Sequence, residues 1–130
     1  MYRTVTRNIE VTATPRFLAE RSSPQNGHFF WAYKIEISNL GAETVQLKTR
    51  YWHITDAQGR VQEVRGAGVI GEEPVLAPGE SFEYTSGVPL PTPSGFMVGT
   101  YGMVTKAGEY FDIDIPAFSL DSAHSARTIN

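Results

Sequence analysis

The chain has 130 residues, 41% hydrophobic and 19% charged, with 11 basic and 14 acidic side chains and a formal net charge of −3. That size and mix suit one globular domain able to bury its own core. Cysteine is absent, which excludes disulfides, thiolate catalysis and cysteine-type zinc sites, and no Lys/Arg cluster offers itself to a nucleic-acid backbone.

The head, "MYRTVTRNIEVTA", lacks an apolar leader core, and nowhere do about 18 apolar residues run together. A cytoplasmic protein without membrane insertion is expected. Residues 3–17, "RTVTRNIEVTATPRF", read as one strand ending near Pro15, and "RFLAERSSP" allows one helical turn at most. In "HFFWAYKIEIS", Phe29, Trp31, Tyr33, Ile35 and Ile37 alternate with Lys34, Glu36 and Ser38, the period-two pattern of a half-buried strand. After a turn at "NLG", "ETVQLKTRYWHIT" alternates again. Val45, Leu47, Thr49 and Tyr51 are expected on one side, and Gln46, Lys48 and Arg50 on the other. "DAQG" (Asp56 to Gly59) is hairpin chemistry, and "RVQEVRG" returns as the partner strand.

"APGES" is a second turn, followed by the short strand "SFEYTSG". "VPLPTP" is too rich in proline for a helix or central strand and reads as a loop. "GFMVGTYGMVT" and "EYFDIDIP" are strands joined around Lys106 to Gly108. Seven or eight strands with no helical period predict an all-β fold: an immunoglobulin or fibronectin type III-like sandwich of two antiparallel sheets. One such domain is expected over residues 1–120, with a flexible tail at 121–130.

Several long elements carry a resemblance: "ITDAQG", "GAGVIGEEPVLAPGESFEYTSG", "GTYGM" and "IPAFSL", with the head "VTRNIEVTATPRF". In them the chain closely resembles the bacterial ApaG family over nearly its whole length. The resemblance implies a fibronectin type III-like β-sandwich. It also implies a link to cobalt resistance and magnesium efflux, and to neighbours in diadenosine tetraphosphate metabolism. The same domain type is fused to eukaryotic F-box and polymerase-interacting proteins, where its inferred role is protein binding. No agreed biochemical activity comes with the family.

Three candidate sites follow from the residues. Arg65 is followed by Gly66, Gly68 and Gly71 at G-x-G-x-x-G spacing, which serves dinucleotides only where a helix opens on the third glycine. Here Glu72, Glu73 and Pro74 come next, so a structural role in strand-end geometry is expected. The alternative is an anion or nucleotide site for a pyrophosphate or dinucleotide polyphosphate, built as a backbone nest. For metals, Asp112 and Asp114 share a strand face, but His28, His53 and His124 are scattered. No tight metal site and no cofactor are expected. Ser86 and Ser94 lack a nucleophile elbow, and no enzyme is expected. The third site is an apolar patch of Trp52, Met97 and Tyr101 on neighbouring strands, either exposed for an unidentified protein partner or packed inside. A protein-binding module is the leading reading, and a homodimer is among the assemblies it allows.

Overall fold

The computed structural model describes residues 1–122. Nine strands occur among them: β1 (Tyr2–Thr6), β2 (Ile9–Phe17), β3 (Phe29–Asn39), β4 (Val45–Asp56), β5 (Val61–Ala67), β6 (Val75–Leu76), β7 (Ser81–Leu90), β8 (Ser94–Thr105) and β9 (Tyr110–Asp121). Two short 3-10 turns, Ala19–Arg21 and Pro24–Asn26, lie between β2 and β3. One antiparallel sheet has the order β1-β2-β3-β7. The other is β5-β4-β8-β9, with β6 paired to the opposite end of β4 from β5. The two sheets face each other as the expected β-sandwich, filled by Trp31, Ile35, Leu47, Met103, Ile113 and Phe118, all essentially inaccessible. Each such side chain contributes about 1.5–3 kcal/mol by leaving water.

The period-two strands and turn residues behave as their chemistry dictates. Phe29, Trp31, Tyr33, Ile35 and Ile37 all point inward. At the β4–β5 hairpin, Asp56 Oδ1 accepts the amides of Gln58 (2.9 Å) and Arg60 (3.0 Å), the local bonding for which aspartate is favoured in turns. Burial pushes the Asp56 carboxyl up, but these amides and the Arg60 guanidinium outweigh it and hold it below its ordinary value.

Four sequence expectations need correction. The head is two strands rather than one, turning at Arg7 and Asn8, both with positive φ (48° and 64°). This is the two-residue left-handed turn that matches hairpin twist, but no glycine marks it. β2 then runs past Pro15 to Phe17. β1 ends opposite Ala13, so β2 is a local edge at Pro15, where proline is tolerated. For the same reason "VPL" is strand and not loop: among the described residues β7 pairs only with β3, and it carries Pro89 on an outer edge.

β4 departs from the expected alternation as well. A bulge between Leu47 and Thr49 inserts Lys48 and reverses the alternation. Val45 and Leu47 face the core as expected, but Thr49 and Tyr51 do not. Arg50, Trp52 and Ile54 take the inner face instead. A second bulge, opposite Val98 of β8, does the same to β9. Ile113 and Ile115 point inward before it, Phe118 and Leu120 after it. β9 ends at Asp121, and the buried Ser122 donates to Pro93 O (2.8 Å). The rest of the expected tail lies outside the described residues.

Candidate functional site

The glycine loop is the joint where one edge of a sheet changes strands. β5 leaves β4 at Ala67, and β6 rejoins it at Val75. Between them the Gly68 amide donates to Lys48 O (2.9 Å), so the loop covers the backbone exposed by the β4 bulge. Val69 and Glu72 exchange backbone bonds (2.8 and 2.9 Å) around Ile70 and Gly71, whose φ values are 44° and 80°. No helix opens at Gly71; a tight turn and the strand β6 follow. Gly68 has φ +63°, and a methyl group there would sit 2.3 Å from Glu72 O. Both features require glycine. Lys48 adds an ion pair to Glu73 (2.7 Å). Arg65 points away to the outer face of the sheet, over the Tyr51 ring and beside Glu63 (3.5 Å), with 71% of its side chain exposed.

The apolar candidates are inside. Register does make them neighbours, Ile54 opposite Met97 and Arg50 opposite Tyr101. But Trp52 is 3% exposed, Met97 1% and Tyr101 0%. Trp52 packs against Tyr33 and Phe118, with ring centroids 5.3 and 5.9 Å apart. The Tyr101 hydroxyl meets that of Tyr84 from the other sheet. Of the two readings left open for these residues, exposed or packed inside, the structure has the second: they are core. Their strands carried apolar groups on both faces, and the one turned outward holds Phe96, 46% exposed.

Asp112 and Asp114 lie on the outer face of β9, opposite Gly102 and Thr100. Among the described residues, no three His, Asp or Glu side chains come together as a metal-sized group. His53 sits on the outer face near Glu63, whose carboxyl is held low by the Tyr51 hydroxyl and by Arg65. His28 lines a groove of about 470 Å³ with Arg21, Phe30, Leu90 and Pro91. His124 is outside the described residues. Among the described residues, no helix is long and apolar enough to cross a membrane.

The two lateral sides of the sandwich differ. On one, β1 closes against β9: the Asp114 amide donates to Thr6 Oγ1 (3.1 Å) and the Ser119 amide to the Tyr2 hydroxyl (3.4 Å). Arg7 covers the Phe111 ring and pairs with Glu109 (3.1 Å). On the other side, β5 and β7 leave a cleft of about 250 Å³ between the sheets. Tyr33, Arg50, Trp52, Gln62, Ser86 and Pro89 are among its lining residues. Burial pushes the Tyr33 phenol up, while its hydrogen bond with Ser86 and the Arg50 charge act against the shift. Arg50 is the residue that strand alternation misplaced on the outer face. Its shared parity with Trp52, two positions on, is the signal that would have found it.

The family model of the ApaG domain matches residues 19–105. A Rhodospirillum centenum protein named ApaG is 68% identical over 130 residues, covering all of both chains. One of the same name from Rhodopseudomonas palustris is 66% identical over the same span. A Bordetella pertussis crystal structure described as an ApaA protein superposes with a TM-score of 0.86 at 49% identity, covering 88% of this chain and 94% of that one.

Proposed function

The chain belongs to the ApaG family, and from that premise we propose that it is a non-catalytic protein-binding module that takes an extended segment of its partner along the β5 edge. The observation that carries this reading is the contrast between edges. Side chains of β1 cap two amides of β9, whereas among the described residues β5 pairs on one side only, with β4, and faces the open cleft on the other. A strand with a free edge offers a row of backbone donors and acceptors to an incoming strand, and side-chain pockets beside it give selectivity. Val61, 53% exposed at the start of β5, lines a groove with Pro89, Leu90 and Pro91, and together they are the apolar features beside this edge.

The module acts in the cytoplasm on this reading. The role in cobalt resistance and magnesium efflux that the family resemblance implies is exerted through the partner and not through a metal held by this chain. Affinity capture from native cytoplasm tests it. Val61→Lys is expected to lose the partner, and Val5→Lys, an exposed position on the closed side, to keep it. Equal capture by both variants would sink the reading. A second copy of the chain is one partner that such an edge admits, and sedimentation velocity identifies that case by a doubled mass lost in Val61→Lys.

A further inference from the structure

We propose that the cleft between β5 and β7 binds a small oxyanion, a carboxylate or phosphate group, with Arg50 as its cationic anchor and Gln62 and Ser86 as neutral donors. The Ser86 proton is released to the ligand when the neutral Tyr33 phenol donates to Ser86 Oγ. This goes beyond strand addition and does not depend on it.

The sequence clears a place for the Arg50 head group. The bulge at Lys48 turns Arg50 inward, and its register partner across the ladder is Gly66. A methyl group at Gly66 would come within 2.8 Å of the guanidinium. Nη1 then donates to Ala67 O (3.0 Å) and Gly68 O (2.9 Å). Two neutral carbonyls fix the orientation of the head group but leave its charge uncompensated. Ion pairs among the described residues use Arg3, Arg7, Lys34, Lys48, Arg60 and Arg65, and Arg50 is in none of them. Nor, among the described residues, does a protein acceptor bond its Nη2 or Nε. Those two nitrogens form the parallel fork that meets a carboxylate or phosphate through two bonds.

The surroundings strengthen such a contact. Trp52, Val88 and Met97 give the cleft apolar walls, and a charge beside low-dielectric walls attracts a counter-ion more strongly than one in open water. The Arg50 charge is felt inside the sandwich, where it opposes the burial-driven rise of the Tyr33, Tyr84 and Tyr101 phenols. Size limits the ligand. About 250 Å³ lies below the roughly 300–1,000 Å³ of sites for drug-sized molecules, so the cleft takes one charged group and a few atoms more, not a dinucleotide. Arg65, exposed and already paired with Glu63, has neither the walls nor the free charge.

An NMR titration of the full chain tests the site, with inorganic phosphate and with acetate as separate probes and chloride at equal ionic strength as reference. A saturable shift is expected at Arg50 Nε and at the Gln62, Ser86 and Gly87 amides. The probe that saturates at the lower concentration identifies the phosphate or carboxylate class. Arg50→Gln is expected to abolish saturation, and Gln62→Leu or Ser86→Ala to weaken it by on the order of three- to tenfold. Shifts no different from chloride would overturn the proposal, as would saturation centred on Arg65 and Gly71 or unchanged affinity in Arg50→Gln. If Arg50→Gln loses the fold, unchanged affinity in both Gln62→Leu and Ser86→Ala overturns it instead.

Discussion

The β1/β9 side and the β5/β7 side of this sandwich solve the same problem in opposite ways. Each is a place where two sheet edges run past one another. At β1/β9 the chain supplies hydroxyls from Thr6 and Tyr2 to outward amides, and a Tyr2–Phe118 ring contact behind them (centroids 6.0 Å). At β5/β7 the edges stand apart, and a cation with an uncompensated charge lies in the gap. A sheet edge left open is a hazard unless it is guarded or used. The difference teaches that openness here is local and built: Gly66, the β4 bulge and the glycine loop together hold Arg50 in the gap.

The largest expected effect comes from the residue that joins the two sides. Phe118 touches Tyr2 on the closed side and Tyr33 and Trp52 behind the cleft. Phe118→Ala should cost about 3–5 kcal/mol in denaturant unfolding. A loss below about 1 kcal/mol would mean that the two sides do not share one core.

Gly68→Ala comes next. With φ +63° and Glu72 O in the way, it should lose more than about 1 kcal/mol, while the β1/β9 amides keep their hydrogen-exchange protection. Loss of that protection in step would show that the open side is not a separate unit. Gly66→Ala should change global stability by about 0.5 kcal/mol, yet displace the Arg50 guanidinium and remove the oxyanion-dependent shift. An intact shift would show that Arg50 does not need the space that Gly66 leaves.

The smallest effect belongs to the seam of the closed side. The hydrogen bond from Arg7, and then its charge, hold the Glu109 carboxyl below its usual value. A carboxylate lowered by folding stabilises above its unfolded pKa, and that contribution is lost as pH falls through the folded one. Wild type should therefore lose slightly more stability than Arg7→Ala on acidification below about pH 4.3. Asp56 is present in both chains and cancels. Parallel acid curves would show that the Arg7–Glu109 pair adds nothing to closure.

Much of this contrast was hidden in the sequence for identifiable reasons. Period-two alternation and turn residues exposed the strands, the Asp56–Gly59 hairpin and the sandwich class, because both signals are local. The Arg7–Asn8 turn was hidden because its left-handed pair contains no glycine. The two bulges were hidden because an inserted residue leaves the composition of a strand unchanged while reversing every side chain beyond it. That reversal sent Arg50 inward. It also left Trp52, Met97 and Tyr101 open to two readings, since strands apolar on both faces do not say which face meets the other sheet. The structural part of the glycine-loop reading was legible at Gly71, where Glu72, Glu73 and Pro74 gave no helix to follow.

The handover from β5 to β6 along β4 also acts as a gauge. A guest strand laid beside β5 finds seven residues of straight edge, Val61–Ala67, about 23 Å at strand rise. Then it meets the Val69–Glu72 turn and can go no farther. At the other end the β4–β5 hairpin, clasped by Asp56, marks the start. If the proposed strand addition holds, a guest between these two stops would have little freedom to slide, and the length of the berth would select its register before any side chain is read.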